Sequence, residues 1–142
     1  MRKIYFTLFG LAFALTVASC SLDDDRVNFK YTTLNITNAM LPDTFELGQI
    51  YNVDVNFLRP DDCTLLEQFD VQRSFTDSSQ IRTVSALGIT LEKDKCTAVN
   101  DSLQDNFQFE VLYTKPYIFR FYTGDNTEGE PEFLEIEVPV KE

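Results

Sequence analysis

Tyr117-Ile118-Phe119-Arg120-Phe121-Tyr122-Thr123-Gly124, followed by Phe133-Leu134-Glu135-Ile136-Glu137-Val138, decides how the chain folds. In the first run Tyr117, Phe119 and Phe121 share one parity and oppose Arg120. In the second, Leu134, Ile136 and Val138 alternate with Glu135 and Glu137. A period of two places apolar groups on one face of an extended chain and polar groups on the other. That is the pattern of a strand half-buried against a second sheet.

The same alternation runs back along the chain. Tyr51, Val53, Val55 and Phe57 alternate with Asn52, Asp54 and Asn56, and Phe69 and Val71 with Asp70 and Gln72. Ile81, Leu87, Ile89 and Leu91 share a parity that reads as the core face, as do Phe107, Phe109, Val111 and Tyr113. Near the start the parity slips at Thr32-Thr33, between Phe29 and Tyr31 on one side and Leu34 and Ile36 on the other. A bulge, or a strand that changes sheets, accounts for such a slip. Seven strands are expected, at about 27–37, 49–59, 66–73, 81–91, 105–113, 117–123 and 132–140. Turn-forming residues separate them, among them Pro42-Asp43, Pro60-Asp61-Asp62, Asp77-Ser78-Ser79 and Lys115-Pro116. The predicted class is all-β, a seven-stranded immunoglobulin-like β-sandwich, with a small barrel or jelly roll as the alternative.

Residues 1–20 have a different character. Met1-Arg2-Lys3 precede an apolar run from Ile4 to Val17, and Ala18-Ser19-Cys20 close it. A charged start, a short apolar core and a small-residue cleavage site make a secretory signal. The core is shorter than the roughly 20 residues that span a bilayer as a helix. The expected division is a removed signal peptide at 1–19, a lipidated acidic linker at 20–26 and a sandwich domain at 27–142.

Val17-Ala18-Ser19-Cys20 resembles the lipobox of bacterial lipoproteins. The resemblance implies lipidation of Cys20, so the mature protein is anchored to a membrane and does not span it. Ser21 with Asp23, Asp24 and Asp25 resembles the export signal of Bacteroidota lipoproteins. It implies an outer-membrane lipoprotein facing the cell surface, the periplasmic leaflet being the alternative. The C-terminal aromatic alternation at 117–124 and 133–138 is similar to the ending of small Bacteroidota outer-membrane lipoproteins with an immunoglobulin-like domain.

Removing residues 1–19 discards Arg2 and Lys3 but no acid, so the formal net charge moves from −11 to −13. Phosphate binding needs a cationic patch, so this balance argues against nucleic acid, and it disfavours contact with an anionic membrane surface through the protein itself. With Cys20 given to lipid, Cys63 and Cys96 form the simplest pair, a disulfide in an exported protein. Zinc is the rival reading, but the chain has no His to complete a ligand set. If strand directions alternate, Cys63 and Cys96 lie in connections at one end of the sandwich, beside the start of the first strand. The connections at 38–48, 74–80 and 114–116 then share the opposite end.

Chemistry is sparse. Without His the common nucleophilic triads are missing, and no Gly-x-Ser-x-Gly elbow or phosphate-cradling loop is present. Asp61-Asp62, Glu67 with Asp70, and Asp101 with Asp105 are the acid pairs nearest to a glycosidase pattern. They read more simply as solvated acids, so no catalytic residue, metal site or cofactor is assigned. The loop Asp125-Asn126-Thr127-Glu128-Gly129-Glu130 offers hard oxygen ligands for calcium, without the spacing of an EF-hand. Tyr51, Tyr113 and Tyr117 have core parity, whereas Tyr122 and Arg120 form a candidate interface pair on the outer face. The functional expectation is a lipid-anchored, non-catalytic binding or assembly module with a protein partner in the outer membrane. A glycan- or calcium-binding lipoprotein is the alternative.

Overall fold

A computed structural model describes residues 28–76 and 79–141. Among these residues every regular element is a strand. They are β1 (Phe29–Leu34), β2 (Ile36–Met40), β3 (Phe45–Glu46), β4 (Ile50–Asp61), β5 (Thr64–Phe75), β6 (Gln80–Leu91), β7 (Ala98–Glu110), β8 (Tyr117–Asp125), β9 (Pro131–Val138) and β10 (Val140–Lys141).

The strands form a β-sandwich. One sheet has the order β1-β6-β8-β9 with β5 on the other edge of β6, and the second has the order β2-β4-β7. A two-stranded parallel ladder of β3 and β10 makes a third, small sheet, and no sheet closes into a barrel. Each of the seven expected strands is present. Immunoglobulin sheets are antiparallel, and within the two large sheets one pair departs from that. β6 and β8 run parallel over Gln80–Val84, and β1 takes the rest of that β6 edge antiparallel.

The first expected strand is two. β1 belongs to the sheet of β6, and after Asn35 the chain crosses to β4 as β2, with a register shift between Ile36 and Asn38. Thr32, Leu34 and Ile36 turn inward, while Phe29 and Tyr31 turn outward. The apparent parity slip is therefore an outward-facing aromatic pair, with ring centroids 5.5 Å apart at 90°.

β6 reverses the expected face. Its buried residues are Gln80, Arg82, Val84, Ala86 and Gly88, and the larger Ile81, Leu87, Ile89 and Leu91 point outward and are half-covered. At Gly88 the inner position has no room for a side chain, because the neighbouring β5 and β1 come close. A Cβ on Gly88 would lie 3.0 Å from the Leu65 carbonyl oxygen and 3.1 Å from the Leu34 side chain.

The core between the sheets holds Val53, Val55 and Phe57 of β4, Phe109 of β7, and Tyr117, Phe119 and Phe121 of β8. Leu134 and Ile136 of β9 pack beside it, and Val138 is buried within it. Tyr117, at the start of β8, also carries a polar task. Its hydroxyl accepts from the backbone N–H groups of Leu112 and Tyr113, both at 3.1 Å, which pins the β7–β8 connection to the core. A tyrosine bonding back to nearby upstream backbone is the corner device of immunoglobulin-like sandwiches.

Cys63 and Cys96 are bonded, with Cα atoms 5.6 Å apart. The bridge joins the β4–β5 corner to the connection after β6, so it staples one end and does not cross the core. The sequence separation of 33 closes a loop whose constrained unfolded state corresponds to about 3–4 kcal/mol. The Cys63→Ser/Cys96→Ser double variant should lose stability of about that size in urea unfolding. Replacing Tyr117 by Phe leaves two N–H groups without their acceptor and should cost about 1–3 kcal/mol. Tyr122→Phe is the control, because its hydroxyl sits on the outer face.

Candidate partner-binding end

The two ends of the sandwich differ. At the near end lie the start of β1, the disulfide and the connection at 92–97. Phe29 is paired with Leu91, Thr64 with Thr90, and Asp61 with Ala98. At the far end lie the 41–49 connection, the β5–β6 hairpin and the segment 111–116. Ile50 is paired there with Glu110, and Gln80 with both Phe75 and Tyr117. The proposed lipidation residue Cys20 and the export residues Ser21, Asp23, Asp24 and Asp25 lie outside the described residues, as do Asp77 and Ser78.

The far end carries a rim of exposed apolar side chains: Met40, Leu47, Ile50, Phe75, Leu112 and Tyr113. Ile50 is 62% exposed and Phe75 60%. Backbone bonds hold part of this rim rigid. Gly48 N–H donates to the Val111 carbonyl, and Val111 N–H donates to the Gln49 carbonyl. Gly48 takes φ 79°, the conformation the tight turn before β4 requires. Phe75 and Tyr113 meet edge to face with centroids 6.4 Å apart. Tyr113 therefore departs from its expected core parity, because β7 ends at Glu110 and the alternation stops there.

Behind the rim sits Arg82, 3% exposed. Its guanidinium lies 5.0 Å from the Tyr117 ring centroid and 5.9 Å from that of Phe109, and it donates to the Ile81 carbonyl at 2.9 Å. Burial pushes its pKa below the ordinary arginine range, with the Arg73 cation adding to the effect. No salt bridge reaches it among the described residues. Two positions along the same face, the Gln80 Oε1 atom is buried without a hydrogen-bond donor. Nothing in the alternation of β6 points to Arg82, because its parity reads as the polar, solvent side.

Five of the six paired acids serve as structural acceptors. Asp61 Oδ1 accepts from Cys63 N–H and the Thr64 hydroxyl, and Asp62 Oδ1 accepts from Thr97 N–H. Asp62 also lies beside the two sulfurs, but sulfurs bonded to each other offer no thiolate to a metal. Asp70 accepts from the Gln72 amide, and Glu67 stands exposed at the β5 bulge. Asp105 accepts from its neighbour's N–H, and Asp101 pairs two-pronged with Arg59 at 3.0 and 2.6 Å across β4 and β7. That hydrogen-bonded guanidinium holds the Asp101 carboxyl below the usual aspartate range. A depression of about 240 Å³, lined by Thr32, Thr33, Asn35, Leu58, Pro60 and Asn100 among others, contains no carboxylate.

The loop considered for calcium is a closed hairpin turn. Asn126 Oδ1 accepts from the N–H groups of Glu128 and Glu130, and Asp125 Oδ1 accepts from the Tyr122 hydroxyl. Tyr122 and Arg120 stand on the outer face as expected, but both are engaged. Arg120 bonds Glu135 at 2.8 Å and lies 4.3 Å from the Phe133 ring centroid. Tyr51 is half-buried, its hydroxyl accepting from Glu46 N–H.

No protein-family model, curated protein or solved structure matches the chain.

One acid gives a direct test of these assignments. Asp101 should titrate below the ordinary aspartate range in carbonyl-detected NMR, and Arg59→Gln should return it to that range. Its depressed folded pKa means that any stability it contributes is present above the unfolded pKa and fades as pH falls through the folded one.

Proposed function

We propose that the protein is a lipid-anchored, non-catalytic binding or assembly module of the outer membrane, facing the cell surface. In this reading it is an accessory subunit of a larger envelope complex. The exposed apolar rim at the far end carries it: Met40, Leu47, Ile50, Phe75, Leu112 and Tyr113 cluster at the end opposite the chain's entry. Clustered apolar groups on a soluble surface mark contact sites, and aromatic anchors dominate binding energy at protein interfaces. The Cys20 lipobox and the acidic run behind it support the anchor and its address.

Substitution at exposed positions leaves folding within about 0.5 kcal/mol, so the rim is open to mutation. Ile50→Glu and Leu112→Glu should fold with unchanged melting curves. On native gels of gently solubilised envelopes, the wild-type protein should migrate in a larger complex and both variants as a lone species. Wild-type protein recovered only as a monomer counts against the assembly role. Resistance to added protease on intact cells, with cleavage only after lysis, counts against surface display.

A further inference from the structure

The outer face of the β6 sheet carries a second apolar patch, at the opposite end from the rim. Strand register places it. Tyr31 of β1, Ile89 of β6 and Leu65 of β5 form one row across three strands, and Phe29 with Leu91 forms the next row. Leu87 extends the patch along β6, paired with Thr33. Phe29 is 50% exposed and Tyr31 70%, and Leu65 is exposed beside them. Leu87, Ile89 and Leu91 are the β6 side chains whose parity reads as core from the sequence. In the fold they face away from the other sheet.

We infer that this patch seats the domain on the membrane that holds it, with the outer face of the β6 sheet against the lipid. The inference rests on the lipid anchor at Cys20 proposed above. Nine residue steps separate Cys20 from Phe29, and at roughly 3.3–3.6 Å each an extended chain reaches about 30 Å. The first residues of the patch are thus held within that distance of the bilayer. At such confinement a weak intrinsic affinity suffices, because the effective local concentration is high. The residue types suit the location: Phe and Tyr at the exposed margin, aliphatic side chains behind them, as in side chains that settle at a membrane–water interface.

Charge argues against a second copy as the occupant. With residues 1–19 removed the chain carries −13, and Asp23, Asp24 and Asp25 lie between Cys20 and the patch, so the tether and the apolar contact must outweigh repulsion from anionic headgroups. A second copy of the chain would bring its full negative charge against this one.

The chain contains no Trp, so single reporters can be introduced one at a time into the lipidated protein. Tyr31→Trp marks the patch and Tyr113→Trp the far rim. Both are reconstituted in vesicles of phosphatidylethanolamine and phosphatidylglycerol with brominated acyl chains. The Tyr31→Trp protein should emit at shorter wavelength and be quenched severalfold more than the Tyr113→Trp protein. Adding Leu65→Glu to the Tyr31→Trp protein should bring its quenching down to the Tyr113→Trp level. Mass spectrometry of the N-terminal peptide separates the two readings. Acylated Cys20 with equal quenching of both reporters overturns membrane seating and leaves the anchor standing. Cys20 without acyl chains overturns both. A blue shift without bromolipid quenching that grows with protein density assigns the patch to a second copy and overturns the inference.

Discussion

Phe45 fills the far end of the sandwich, and four rings close around it. Its centroid lies 4.8 Å from Tyr51, 5.5 Å from Phe109, 5.9 Å from Tyr117 and 6.1 Å from Phe119. Those rings come from β4, β7 and β8, so one side chain from a two-residue strand touches both large sheets. β3 is held in turn by the Phe45 N–H bond to the Pro139 carbonyl and by the Lys141–Glu46 ion pair at 2.7 Å. Tilted and edge-to-face ring pairs each add about 0.5–1.5 kcal/mol beyond area burial. The order of the far rim follows from this cluster. With Phe45 and Tyr51 in place, Tyr117 stands where its hydroxyl meets Leu112 and Tyr113, and the rim has a fixed floor.

The strands were legible because period-two alternation is a local consequence of extended backbone. It survives in β4, β8 and β9 with the expected faces inward. β6 shows what alternation cannot say. Its two faces differ as the pattern demands, but the pattern carries no sign, and the larger apolar set lies outside. At Gly88 the inner face admits only a small residue, since the Leu65 backbone and the Leu34 side chain crowd it. Such crowding depends on a neighbouring strand and leaves no local trace. Tyr113 failed for another reason. Alternation was carried past Glu110, where the chain leaves the ladder to meet Tyr117.

The disulfide and the sorting of connections into two ends followed from cysteine count and strand direction alone, and the structure bears out both. The rim was legible only in outline. The sequence located the end, but not which residues there would be exposed, because Ile50 and Leu112 look like ordinary strand-end hydrophobics. Arg82 was not legible at all. A cation on what reads as the polar parity is indistinguishable from a solvated one until the sheet's inner face is known. Asp101 looked like a free acid for a related reason: its partner Arg59 is 42 residues away and meets it only through β4–β7 pairing.

The two apolar regions, taken together, constrain how the domain stands. If the outer face of the β6 sheet rests on lipid, the strands run along the membrane surface, not out from it. A 12-residue strand such as β4 extends about 40 Å at roughly 3.3 Å per residue. The rim at its far end then points sideways, about 40 Å from the domain's near end, and stays close to the bilayer. Under the proposal above, a partner for that rim would be an envelope-bound neighbour. Like charge opposes a second copy at the rim as it does at the patch. In that posture the proposed module would lie flat along the bilayer, its apolar end open to a different protein in the same membrane.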